Sequence, residues 1–396
     1  MNADFAVIGG GVIGICVARE LRQRYPDCSV IVLEKEAEVG RHASGRNSGV
    51  LHAGFYYSAD SLKARFCRDG NLAMRRFCEE QGLRINACGK LVVARGVVDL
   101  ERLDELKRRA DRNGVALEEV SEAQAHDIEP RARTVQRALY SPTTATVDPA
   151  EVMAALRADC ERAGARICTG AAYRGRKGDT LLTDAGPVTA GMVINAAGLY
   201  ADRVARNFGF SESYRILPFK GLYLYSSEPA HAFRTNIYPV PDLRNPFLGV
   251  HVTVTVDGKA KLGPTAIPCF WREHYTGTAN FRGDEFREVV SMELGLLLKA
   301  GFDFRGLAAQ ELQKYRRKTL ASQASELAEG IDARDFRQWG KPGIRAQLLD
   351  TRTRTLVMDF LIEGDRKSLH VLNAVSPAFT CAIPFAAHVC DQLGGS

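Results

Sequence analysis

The sequence predicts an α/β chain in which a parallel-sheet domain is interrupted by an inserted antiparallel-sheet domain of α+β type. Three observations predict it. A short apolar run, Phe5-Ala6-Val7-Ile8, ends in glycines, leads into a helical pattern, and is followed by a second apolar run at 29–33. That is the order of a βαβ unit with buried parallel strands. From 214 to 263, aromatic and β-branched residues alternate with polar ones between Pro/Gly turns, which reads as an antiparallel sheet with one exposed face. The 396 residues exceed what one hydrophobic core usually organises.

The elements follow in order. Ile13, Val17 and Leu21 share one face of the first helix. Residues 61–81 carry a second helical period, with Leu62, Phe66, Ala73 and Phe77 on the apolar side. Asp148-Pro149-Ala150-Glu151 starts a third helix. Asp148 caps it, Pro149 suits the first helical position, and Glu151 stands at capping-box spacing. That helix leads to a strand at 165–168. A further strand, Met192-Val193-Ile194, enters Asn195-Ala196-Ala197-Gly198 and another helix. Residues 284–328 are mostly helical, and strands return near 355–362 and 369–372 before a C-terminal helix from Ala378. The expected division is discontinuous: 1–85, 142–212 and 340–396 form the parallel-sheet domain, and 86–141 with 213–339 form the inserted one.

Composition excludes several classes. Hydrophobic residues make up 45% and charged residues 25%, the balance of an ordinary globular chain. No apolar run is long enough to span a bilayer. Met1-Asn2-Ala3-Asp4 passes straight into a strand, so no signal peptide and a cytoplasmic location are expected. The closest of the ten cysteines, Cys160 and Cys168, are eight apart. No Cys-x-x-Cys exists, no metal site is expected, and the thiols read as reduced. The net charge of +6 is modest, and the basic runs 107–109 and 316–318 fall in amphipathic helices. They read as solvated faces rather than nucleic-acid sites. The charge is also compatible with weak peripheral attraction to the inner face of an anionic membrane.

Gly9-Gly10-Gly11-Val12-Ile13-Gly14 is a Gly-x-Gly-x-x-Gly between a strand and a helix, the context its mechanism requires. Gly9 permits a tight turn, Gly11 lets backbone approach a pyrophosphate, and Gly14 allows helix and strand to pack closely. The helix N-terminus offers free N–H groups and a positive dipole end to phosphates. Glu34, twenty residues after Gly14, is placed to accept hydrogen bonds from ribose hydroxyls. A nicotinamide enzyme could carry the same fingerprint. Its position at residue 9, with a late strand ending in Ala197-Gly198, favours FAD and a Rossmann-like FAD-binding domain.

The segment from His42 to Tyr57 is rich in Gly, His and small polar residues. Its glycines, Gly45 among them, let backbone pass close to a flat ligand. Ser44, Asn47 and Ser48 offer donors to a pyrophosphate or flavin carbonyl, and His52 and Tyr56 are placed to face a substrate. His42 reads as ordering the cofactor loop. At this segment the chain resembles the L-2-hydroxyglutarate dehydrogenase/oxidase family of D-amino-acid-oxidase-like flavoproteins. That family shows His-x-Thr-Gly-His-Asn-Ser-Gly-Val-Ile-His-x-Gly-Ile-Tyr-Tyr, then Ser-Leu-Lys-Ala-x-Phe-Cys, and here residues 61–67 complete the match. The stretches 236–251, 343–347 and 369–378 are similar as well. The chain departs from the pattern at Arg46 for His, at Ala59-Asp60 for Pro-Gly, at Leu222 for an acidic residue, and at Trp271 for Lys. The last two fall near the expected substrate domain.

The resemblance implies a reaction: a 2-hydroxy acid of the L-2-hydroxyglutarate type gives a hydride to FAD while a base takes the hydroxyl proton. A neutral imidazole is the natural base, with His52 the first candidate and His251 the second. A carboxylate substrate needs cationic and hydroxyl partners: Arg345 for a bidentate contact, with Lys220, Tyr56 and Tyr223 completing the site. Ser376, Ala378 and Thr380, at the start of the C-terminal helix, are expected to face the flavin's N1–C2=O edge. Two alternatives stay open: an amine or amino-acid oxidase of the same superfamily, and a flavin protein without turnover. Quinone, oxygen and an electron-transfer protein are all open as electron acceptor.

Overall fold

The first strand, Asn2–Ile8, is the spine of the molecule. In the computed structural model, which describes residues 1–241 and 247–394, it pairs in parallel with Val30–Leu33 on one side and Val188–Asn195 on the other. Arg166–Cys168 extends the sheet beyond Val30–Leu33, and Ser368–Asn373 lies parallel to Val188–Asn195. Ala6 and Val7 have no solvent exposure, nor do Ile15, Val17 and Leu21 of the helix Val12–Arg24 that covers them. The helices Pro149–Arg162 and Ala378–Asp391 bring Val152, Leu156, Phe385 and Val389 to the same core. The expected parallel α/β half is therefore present.

The helix Leu62–Glu80 is capped by the Ser61 hydroxyl, which accepts from Ala64 N–H. Asp148 caps Pro149–Arg162 by accepting from Ala150 and Glu151 N–H groups. The reciprocal half of the capping box does not form, because Glu151 turns outward to Arg84. Residues 283–325 form the helices Gly283–Leu298, Phe304–Gln313 and Arg317–Ser325. All ten cysteines are unpaired. Among the described residues no helix is long and apolar enough to cross a membrane.

The stretch 214–263 differs from expectation in two ways. First, its strands belong to two sheets. Tyr214–Gly221 pairs along its whole length with Gly343–Asp350, antiparallel, in a four-stranded sheet. The expected division at 340 separates these two partners. Leu224–Ser226, Asn236–Pro239, His251–Val254 and Ala260–Gly263 instead join Phe336–Trp339, Lys90–Val93, Arg137–Ser141 and Glu118–Ser121. That second sheet is antiparallel except for one parallel pair, Asn236–Pro239 with Lys90–Val93. Second, its polar face is not exposed. Leu91, Ile237, Val252 and Leu262 pack on one side in an apolar cluster. Lys90, Tyr238, His251, Thr253 and Lys261 alternate onto the other side, and all five are buried. The alternation predicts a solvated face, but this face lies against the segment His52–Tyr56.

An internal ion pair fastens the two halves. Arg272, wholly buried, donates to both oxygens of the equally buried Asp202 at 2.7 and 2.9 Å. Asp202 also accepts from Ile216 N–H, and Arg272 reaches Glu288 and the Leu199 carbonyl. Burial opposes charge on Asp202, yet Arg272 holds its carboxyl below the usual range. Removing one partner of such a pair leaves an uncompensated buried charge and costs about 3–5 kcal/mol. Asp202→Ala should therefore lower thermal stability sharply, and Asp202→Ala with Arg272→Met should recover part of the loss. Thermal denaturation of the three proteins checks this; equal stability of the single and double variants would contradict it.

Candidate active site

The C-terminal ends of the parallel strands open into a cavity of about 920 Å³. Its walls include Ile8, Glu34 and Ala196 from the strand ends, the segment 40–52, and Gly343 to Ala346. Gly9 turns there with φ +111°, and a Cβ on it would stand 2.5 Å from the Ala196 carbonyl oxygen. A Cβ on Gly14 would fall 1.9 Å from the Gly9 carbonyl oxygen. Both positions thus admit only glycine. Gly11 has ordinary backbone angles, and its missing side chain leaves room for the Ser44 hydroxyl instead.

The polar groups of this end mostly organise the loop itself. Ser44 Oγ accepts from Val12 N–H at 2.9 Å, at the start of the first helix. Glu34 accepts from Gly10 N–H at 2.7 Å and from Glu36 N–H at 2.8 Å, one on each carboxylate oxygen. It is buried and still lines the cavity. Gly45 N–H bonds the Gly40 carbonyl, and Asn47 spends its amide on the Ser44 carbonyl and Gly49 N–H. His42 sits between Tyr275 Oη at 2.6 Å and Glu36 Oε1 at 2.9 Å. Glu36, His42 and Glu273 cluster closely, but Lys35 bridges the two carboxylates. Gly198, Ser376, Ala378 and Thr380 line the cavity, and Thr380 Oγ1 ties down the chain at Val50 and His52. The glycine turn, the helix N-terminus and the buried Glu34 fit a dinucleotide.

The other end holds the titratable groups. His52 lines the cavity, and its Nδ1 lies 3.4 Å from Lys90 Nζ. Burial, then Lys90 and His251, hold its imidazole well below the usual pKa, so it is neutral. His251 does not line the cavity; it stacks on Tyr238 at 3.7 Å, and its Nδ1–H donates to the Gly249 carbonyl. Tyr223 and Arg345 line the cavity. Arg345 donates to the Thr265 carbonyl at 3.2 Å and, among the described residues, has no carboxylate partner. Tyr56 is buried beside Lys90, and among the described residues its hydroxyl has no partner. Lys220 is not brought to the cavity. In the ladder Phe219 faces Arg345 and Lys220 faces Ile344, so Lys220 and Arg345 point to opposite sides of the sheet. Within the stretch 236–251, residues 242–246 lie outside the described residues.

Two residues escape a motif-based reading: Lys90 and Lys261. Lys90 has no solvent exposure, and Lys261 is 4% exposed. Burial pulls Lys90 down to about 7 and Lys261 to about 8. Lys90 Nζ lies 4.3 Å from the centre of the Tyr238 ring, and Lys261 Nζ is 4.6 Å from that of Tyr223 and donates to the Ser48 carbonyl. Their available signal was a lysine inside an apolar strand, Lys90-Leu91-Val92-Val93 and Ala260-Lys261-Leu262-Gly263. Leu222 and Trp271, the departures expected to reshape the substrate pocket, are both absent from the cavity wall. Trp271 stacks on His274 and donates to the Ala279 carbonyl.

The FAD dependent oxidoreductase family model, DAO, matches residues 4–392. The chain is 37% identical to the mitochondrial L-2-hydroxyglutarate dehydrogenase of Nematostella vectensis, over 98% of this chain and 90% of that one. It is 33% identical to the human mitochondrial enzyme of that name, over 98% and 88%, and 34% identical to that of Salmonella houtenae, over 98% and 93%. Among solved structures it is similar in fold to the FAD-bound L-alpha-glycerophosphate oxidase of Mycoplasma pneumoniae, with a TM-score of 0.77, 20% identity, and 100% and 96% of the chains covered. Glycine oxidase of Geobacillus kaustophilus gives a TM-score of 0.72 at 20% identity, with 99% and 95% covered. Glu34→Ala removes the acceptor that holds both Gly10 and Glu36, so it should lower FAD retention. Chromatography of the nucleotide released on denaturation checks this; an unchanged FAD content in the variant would contradict it.

Proposed function

The chain belongs to the DAO family of FAD-dependent oxidoreductases, among the L-2-hydroxyglutarate dehydrogenases, and from that membership we propose that it oxidises L-2-hydroxyglutarate to the 2-oxo acid. Bound FAD supplies the hydride acceptor, held by the Gly9–Gly14 turn, the N-terminus of the helix Val12–Arg24, Glu34, and the cavity wall at Ser376 to Thr380. The observation that carries the reading is the charge around His52. Lys90 faces its Nδ1, Arg345 lines the same cavity, and Lys261 lies against Tyr223 of the cavity wall; among the described residues none of the three has a carboxylate within ion-pair distance.

The roles follow from chemistry. Arg345 holds one carboxylate of the substrate through its planar fork. Lys261, close to Tyr223 on the cavity wall, attracts the second. His52 takes the hydroxyl proton, since it is the imidazole that both lines the cavity and stays unprotonated at neutral pH. His251 sits behind the wall and serves as a packed neighbour. Ten unpaired thiols support a reducing, cytoplasmic setting.

Anaerobic titration should show flavin bleaching by L-2-hydroxyglutarate, none by its D-enantiomer, and none by amino acids. Bleaching by amino acids alone would overturn the assignment. Arg345→Met should lower kcat/KM by about 10–100-fold, chiefly through KM, as loss of a charged hydrogen bond costs roughly 1.5–3 kcal/mol. His52→Gln should slow flavin reduction by about 10²–10⁴-fold with FAD still bound, read by stopped-flow absorbance.

A further inference from the structure

Lys90 is the least expected side chain near the site. It has no solvent exposure and, among the described residues, no carboxylate partner, and it sits among the rings of Phe55, Tyr56 and Tyr238. The titratable groups around it are His52 from the cavity segment, Tyr56, Cys67 from the helix Leu62–Glu80, Cys88 and Tyr238, with His251 beyond His52. Ser141 and Asn236 are its partners on the two adjacent strands. Its polar contact with a side chain is the 3.4 Å approach to His52 Nδ1. Among the described residues His52 Nε2 bonds nothing in the protein.

That geometry couples the two groups. An ammonium has three N–H donors and no acceptor, whereas a neutral amine has a lone pair. When Lys90 is charged, His52 Nδ1 must accept, so the ring proton sits on Nε2 and that nitrogen cannot take a proton. When Lys90 is neutral, Nδ1–H donates to Nζ and Nε2 is bare. We propose that Lys90 is a positioning residue that sets the His52 tautomer, making the imidazole a base only when Nζ is unprotonated. In the forward reaction the substrate hydroxyl proton passes to His52 Nε2, and the Nδ1 proton passes to Lys90 Nζ, which becomes the ammonium. The ring keeps one proton, now on Nε2, and stays neutral, while the positive charge moves one residue away to Lys90. Burial places the Lys90 transition near pH 7, so the switch falls inside the physiological range.

The inference rests on His52 acting as base, and its test is kept apart from that reading. In FAD-loaded protein labelled with ¹⁵N-histidine, long-range ¹H–¹⁵N spectra report the His52 tautomer, assigned by its loss in His52→Gln. Between about pH 5.5 and 8.5 the wild-type resonance should change from the Nε2–H to the Nδ1–H form, and in Lys90→Met it should not change. A tautomer constant across that range in the wild type, or changing identically in Lys90→Met, overturns the proposal whatever the substrate proves to be. If L-2-hydroxyglutarate fails to bleach the wild type, the functional reading falls, while these spectra still decide the role of Lys90.

Kinetics supply a second arm. The acid limb of flavin reduction should belong to Lys90 and vanish in Lys90→Met. Lys90→Arg, permanently charged, should hold Nε2 protonated and slow reduction by about 10²-fold at every pH. A packing role predicts an unmoved limb in Lys90→Met and overturns the proposal, and that profile decides the matter if Lys90→Arg does not retain FAD.

Discussion

Burying two lysine side chains that have no carboxylate partner among the described residues is the constraint on which the rest of this structure turns. An isolated buried cation carries a penalty of several kcal/mol, and neutralisation is the usual escape. Here Lys90 and Lys261 escape in that way, with their pKa values brought toward neutrality, and partly by facing aromatic rings. Such an arrangement persists only in a frame that other interactions hold in place. The apolar face of the second sheet, with Leu91, Ile237, Val252 and Leu262, supplies one side of that frame. The Asp202–Arg272 pair, which ties the helix Ala201–Arg206 to the strand Tyr214–Gly221, supplies another.

The cofactor half shows a different economy. Most of its polar groups bond each other or the backbone: Ser44 to Val12, Glu34 to Gly10 and Glu36, Asn47 to its own loop. Their effect is to fix where backbone N–H groups point, and the fit to a dinucleotide comes from that fixed backbone. The substrate half instead presents side chains with spare hydrogen-bonding capacity, Arg345, His52 and the Tyr56 hydroxyl.

The cofactor half was legible in the sequence because its signals are local. The turn at Gly9–Gly14, the cap at Asp148 and the start of the C-terminal helix each depend on a few adjacent residues. The second half was read less well because its order is long-range. Nothing local says that Tyr214–Gly221 pairs with Gly343–Asp350 more than a hundred residues away. Nor does period-two alternation say whether a polar face meets water or another part of the protein, and here it meets the cavity segment. That ambiguity hid Lys261, while Lys90 sits in a short apolar strand, Lys90–Val93, that carries no motif. Leu222 and Trp271 misled for a related reason: neighbours in sequence, Gly221 and Tyr223, line the cavity while Leu222 does not.

The proposed selectivity for a dianion rests on Arg345 and Lys261, which have no carboxylate partner among the described residues. Calorimetric titration of the FAD-loaded protein with 2-oxoglutarate and with 2-oxopentanoate, which has the same chain length without the second carboxylate, isolates that charge without turnover. The structure predicts at least about tenfold tighter binding of the dicarboxylate, equivalent to roughly 1.4 kcal/mol, with the advantage shrinking in Lys261→Met. Equal affinities for the two ligands would contradict it.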